Sequence, residues 1–87
     1  MKIDLGLIKQ TMPELTWEAE NDSRAVAKSG ALKFYAAVFG NQFEVSIFDL
    51  ILGRTIFTVM NPDLKNILNI LRLHCQKLIE SLLPLRA

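Results

Sequence analysis

Residues 61–83, N-P-D-L-K-N-I-L-N-I-L-R-L-H-C-Q-K-L-I-E-S-L-L, constrain the fold of this chain more than any other stretch. At about 100° per residue, Leu64, Ile67, Leu68, Leu71, Cys75, Leu78, Ile79 and Leu82 fall on one stripe of a helix. Lys65, Asn66, Asn69, Arg72, Gln76, Lys77 and Glu80 fall elsewhere. A helix patterned this way needs an apolar surface on which to lay its stripe. Its start is marked by Asn61, whose side-chain oxygen suits an N-cap. Pro62 follows at the first helical position, where a missing N–H is harmless, and Asp63 sits near the positive end of the dipole. Pro84 is predicted to end the helix, because a proline pushes the residue before it out of the helical region. Ile70 and Leu73 lie off the stripe. They are either scattered surface hydrophobes or a second contact surface, with the tail residue Leu85 or with another chain.

The surface that receives the stripe is also legible. Residues 32–39 and 42–50 flank Gly40-Asn41, a dipeptide suited to a two-residue hairpin loop. That loop pairs Val38 with Phe43, Ala36 with Val45 and Phe34 with Ile47 on one face. The apolar pattern of both strands agrees with the register imposed by the turn. This face is expected to lie under the helix. The opposite face pairs Phe39 with Gln42, Ala37 with Glu44, Tyr35 with Ser46 and Lys33 with Phe48, so it is half apolar.

Residues 3–12 read as a short helix capped by Asp4, with Leu5, Ile8 and Met12 on one face and Pro13 as the stop. Gly6 weakens it by roughly 1 kcal/mol relative to alanine. Residues 15–20 alternate, with Leu15, Trp17 and Ala19 to one side, as a half-buried strand does. Residues 21–30 carry turn formers at both ends and read as a flexible segment, or as a helical turn over residues 24–28. Leu52-Gly53 marks a second turn, and residues 54–60 a further strand that runs into Asn61. The expected architecture is a single α+β domain, residues 1–87: an antiparallel three- to four-stranded meander, a short N-terminal helix, and a long C-terminal amphipathic helix packed on one face.

Composition narrows the function. With 87 residues the chain makes one small domain, and such a domain buries only about 60% of its unfolded surface. Yet 51% of its residues are hydrophobic and its mean hydropathy is +0.25, which argues against disorder and leaves apolar material to spare. The formal net charge of +1 gives no support to strong attraction to nucleic acid or to an anionic membrane. Residues 62–87 are mildly basic, with four positive and two negative side chains. The single cysteine excludes an intrachain disulfide. Asp4 and Lys9 interrupt any signal-peptide core, and no uncharged run approaches the roughly 20 residues that span a bilayer. The expected compartment is the cytoplasm.

Candidate chemistry is sparse. His74 and Cys75 are neighbours on a helix and point about 100° apart, so they do not form a thiol–imidazole pair. Cys75 lies inside the apolar stripe, where it behaves as a small hydrophobe. One His and one Cys fall short of a zinc site. Glu18 and Glu20, and Glu44 and Asp49, read as solubilising charges rather than an acid–base pair. The four glycines are isolated and form no phosphate loop. No cofactor, metal or catalytic residue is expected.

The remaining signal is aromatic. Tyr35, Phe39 and Phe48 share the outer sheet face. They are core if the first helix folds over them, an interface if another protein docks there, or a stacking platform for unpaired bases with Lys33, Arg54, Lys65, Arg72 and Lys77 supplying charge. Asp63 at the opening of the last helix would repel phosphate. The expected function is therefore a small non-enzymatic protein-interaction module that self-associates as a homodimer or binds a protein partner. Its interface candidates are Tyr35, Phe39, Phe48, Ile70 and Leu73. A small nucleic-acid-binding domain using the aromatic sheet face is the alternative. No membrane partner is expected.

Overall fold

The computed structural model describes the backbone of residues 2–86 and the side chains of residues 2–76. The elements follow one another as α1 (Leu5–Thr11), β1 (Trp17–Asn21), β2 (Arg24–Ser29), β3 (Leu32–Phe39), β4 (Gln42–Asp49), β5 (Arg54–Asn61) and α2 (Leu64–Arg86). The strands form one antiparallel sheet in chain order, β1-β2-β3-β4-β5. The α+β meander is as expected, but it has five strands rather than three or four. The additional strand is β2, in the segment read as flexible. Its core-facing residues are Ala25 and Ala27, whose small side chains give little hydrophobic alternation, while the larger Val26 points outward. Pairing with β3 along the whole of β2 overrides the weak local preference.

Four hairpins join the strands, and the two with glycine at the first loop position fix their register most directly. Gly40 takes φ +65°, and the β3–β4 pairs Phe34↔Ile47, Ala36↔Val45 and Val38↔Phe43 are those that the two-residue loop demands. Gly30, at φ +58°, does the same between β2 and β3. In both loops glycine holds the first position and a residue of negative φ the second, as a type II′ turn requires. The β1–β2 loop has no such glycine. There Asn21 Oδ1 accepts the Ser23 N–H at 2.8 Å, and a bulge between Ala19 and Asn21 absorbs the mismatch.

Both helices pack on the same face. Ile8 of α1 and Met12 at its C-cap, and Leu64, Ile67, Leu68 and Leu71 of α2, join Trp17, Ala25, Ala27, Phe34, Ala36, Val45 and Ile47 in one core. Asp4 caps α1 as expected, its Oδ1 accepting the Leu7 N–H at 3.0 Å. The Trp17 indole N–H, buried, donates to the Met12 carbonyl at 3.2 Å and ties the exit of α1 to β1.

Two details of α2 differ from the sequence reading. The cap is Asp63, whose Oδ1 accepts the N–H groups of Lys65 and Asn66 at 3.0 and 3.3 Å. Asn61 instead closes the turn leading in, accepting the Asp63 N–H at 2.8 Å. An aspartate serves here as well as an asparagine and also complements the dipole. The helix also runs through Pro84 to Arg86. The missing proline N–H removes a single bond of the last turn, and the restriction on the preceding residue is a bias rather than a barrier. The side chains of Leu78, Ile79, Leu82 and Leu85 lie outside the described residues.

Leu71 is fully buried and Leu73 is 60% exposed. Leu71→Ala is expected to lower the unfolding free energy by about 2–5 kcal/mol, a large share of what a domain of this size possesses. Leu73→Ala should stay within about 0.5 kcal/mol. Urea denaturation followed by the fluorescence of Trp17 measures both.

Candidate interaction surface

Because both helices lie on one side, no described helix or strand packs on the other side of the sheet. The backbone register shows what is there. One row runs Glu18, Val26, Tyr35, Ser46, Thr58 across all the strands. The row on one side of it is Lys28, Lys33, Phe48, Thr55, and the row on the other is Arg24, Ala37, Glu44, Met60. Tyr35, Phe39 and Phe48 therefore share this open face, as expected, and α1 does not cover them.

The three aromatics do not form one cluster. Phe48 pairs with Lys33, and Phe39 pairs with Gln42 beside the hairpin loop. Those pairs lie six residues apart along β3, or roughly 20 Å at strand rise. Tyr35 sits between them. It is flanked by the Arg24 guanidinium, 5.0 Å from the ring centroid, and by the Lys33 ammonium at 5.4 Å. Arg24 also pairs with Glu20 at the edge of this face. That pairing holds the Glu20 carboxyl below its usual range.

Ile70 and Leu73 are elsewhere. They sit on α2, on the far side of the sheet from the aromatics, with Ile70 half-buried and Leu73 exposed. Of the cations grouped for a nucleic-acid surface, Lys33 is on the open face and Arg54 begins β5, whereas Arg72 and Lys65 are on the helical side. Arg72 Nε and Nη2 donate to both oxygens of Glu14 at 2.9 and 2.8 Å. Nη2 also donates to the Thr11 carbonyl. The Lys77 side chain lies outside the described residues.

The sequence reading missed apolar groups that the fold exposes. Leu50, Ile51 and Leu52 form the tip of the β4–β5 hairpin, and Ile51 is 82% exposed. The tip is ordered by Asp49, whose Oδ1 accepts the N–H groups of Ile51 and Leu52, each at 2.9 Å. The available signal was an apolar run in a turn, a position where polar residues are usual. Ile56, at the bulge in β5, and Met60 are exposed as well.

Two further features bear on chemistry. The His74 ring stacks on Phe57 at 4.1 Å between centroids, while Cys75 turns toward the core, where burial pushes its thiol up. A groove of about 360 Å³ lies between the helices, lined by Leu7, Gln10, Thr11, Lys65, Asn69 and Arg72 among others. Its guanidinium is already engaged by Glu14. Among the described residues no three of His, Cys, Asp and Glu come together. Compared with protein-family models, curated proteins and solved structures, the chain finds no match.

The Arg72 hydrogen bonds hold the Glu14 carboxyl below its ordinary value of 4.5. A depressed carboxyl stabilises the fold above its ordinary value, and that contribution is lost as pH falls through the folded value. Glu14 is half exposed, so screening keeps the pair to about 0.2–1 kcal/mol. Glu14→Gln should therefore be less stable than wild type by this small amount at neutral pH, with the difference fading below the ordinary carboxyl value. Thermal melts across an acid series check it.

Proposed function

We propose that this chain is a cytoplasmic protein-interaction module that self-associates and offers the open face of its sheet to a protein partner. One observation carries the reading: both helices pack on one side, and the other side presents Val26, Tyr35, Ala37, Phe39, Phe48 and Met60 with no described element over them. Phe39 is 63% exposed and Met60 39%. Apolar side chains left uncovered along a sheet face support a docking role. The charge around it also suits a protein. Arg24, Lys28 and Lys33 are balanced by Glu18, Glu20 and Glu44 on the same face, where phosphate contacts would need cations in excess. Among the described residues no helix is long and apolar enough to cross a membrane.

A small nucleic-acid-binding domain is the second reading. The Tyr35 ring between two cations favours it, since a base stacks well in such a setting.

The test is size-exclusion chromatography with light scattering, absorbance at 260 and 280 nm, and titration with a hydrophobic dye. The interaction module is expected to run above the 9.8 kDa of one chain, to bind dye, and to bind less dye as the double variant Phe39→Ser/Phe48→Ser. A monomer that binds no dye and brings no partner with it overturns the reading. A raised absorbance at 260 nm that salt removes turns it toward nucleic acid.

A further inference from the structure

The two edges of the sheet differ. β1 is five residues long, carries Glu18 and Glu20, and is bent by a bulge. These are the devices by which an edge is kept from pairing. β5 is eight residues long and, after Arg54, has no charge and no proline as far as Asn61. Its outward backbone groups can be assigned. The Leu50 N–H donates to the Ala31 carbonyl, so the even-numbered residues of β4 face β3. The odd-numbered ones face β5, where Val45 pairs with Val59 and Phe43 with Asn61. Thr58 and Met60 therefore turn their N–H and C=O groups away from the sheet, to an edge with no described neighbour.

We infer that β5 pairs antiparallel with β5 of a second copy of this chain, about a two-fold axis perpendicular to the sheet. The inference rests on the self-association proposed above and assigns it a place. With the axis beside Val59, Thr58 of each copy exchanges both backbone bonds with Met60 of the other. A strand pair alone is too small for a stable dimer, which needs about 800 Å² from each partner. The helix supplies the rest. α2 packs over β4 and β5, the two strands nearest this edge, so the two-fold brings the second copy of α2 alongside the first. The flank that faces the partner is fixed by its neighbours. Arg72 reaches α1 on one side, and His74 stacks on Phe57 of β5 on the other. Ile70, one turn before His74, lies on the β5 side. A second copy thus brings both a strand for the open edge and a helix for Ile70.

Amide exchange on the full wild-type chain tests the pairing directly. The Thr58 and Met60 amides, which have no acceptor among the described residues, are expected to be protected, and to lose protection on dilution. Free exchange of these amides in a sample of dimeric mass overturns the edge pairing while self-association stands. A single-chain mass at every concentration overturns both. Two variants on different elements give a second readout by light scattering. Thr58→Pro removes an outward N–H, which an edge strand tolerates, and Ile70→Glu places a charge between the helices. Both are expected to halve the mass and keep a cooperative melt, whereas Phe39→Ser keeps the dimer. Two folded variants that remain dimeric overturn the proposal.

Discussion

The burial of one helical stripe against one face of the sheet is the interaction on which everything else here depends. Each part draws on the other: most helical stability in a protein comes from packing an amphipathic face, and a sheet needs its hydrophobic face covered. The face is shaped for the helix. One row across the strands reads Trp17, Ala27, Phe34, Ile47, Phe57, and the next reads Ala19, Ala25, Ala36, Val45, Val59. Small side chains beside a ridge of large ones leave room for Leu64, Ile67, Leu68 and Leu71 to come close. Each such side chain contributes about 1.5–3 kcal/mol when fully buried. α1 then fills the space next to α2, placing Ile8 and Met12 over the β1 side and locking itself there through Trp17 and Arg72.

This packing uses both helices on one face and leaves none for the other. A sheet with one covered face normally turns a polar row to water. Here the open rows mix Glu18, Lys28, Lys33 and Glu44 with Val26, Tyr35, Phe48 and Met60. Long charged side chains partly shield the apolar ones: Lys33 and Arg24 lie along Tyr35. The shielding leaves Phe39, at the end of its strand, and the Leu50–Ile51–Leu52 tip without comparable cover. The surplus apolar content of the sequence is thus not spread evenly. Among the described residues, the exposed large hydrophobics other than Leu73 sit on the open face, at its ends or along β5.

How much of this the sequence carried depends on whether the signal was local. The β3–β4 register was legible pair by pair because Gly40-Asn41 fixes it and both strands alternate in step. The stripe of α2 and the Asp4 cap of α1 were legible for the same reason. β2 was not, since Ala25 and Ala27 look no more buried than exposed until Phe34 and Ala36 stand opposite them. The placement of α1 was not legible either. Leu5, Ile8 and Met12 define which side of the helix is buried, but nothing local says which face of the sheet receives it. The fate of Tyr35, Phe39 and Phe48 turned on that one non-local fact. The cap at Asp63 rather than Asn61 is a competition between two good acceptors, decided by where β5 ends.

In the proposed dimer, the symmetry at the open edge decides what becomes of the open face. Antiparallel pairing of two copies of one strand puts the two-fold axis perpendicular to the sheet, and such an axis keeps corresponding faces on the same side. The helices of both copies then meet above the sheet, while the aromatic faces join beneath it into one surface. Parallel pairing would put the axis along the strands and turn one copy over. Its helices would lie on opposite sides, Ile70 would meet nothing, and each aromatic face would border the other copy's helices. Only the antiparallel arrangement buries the flank of α2 and leaves the open faces free together. A partner with two matching sites would then gain from binding both at once, with no contact beyond those each copy offers alone.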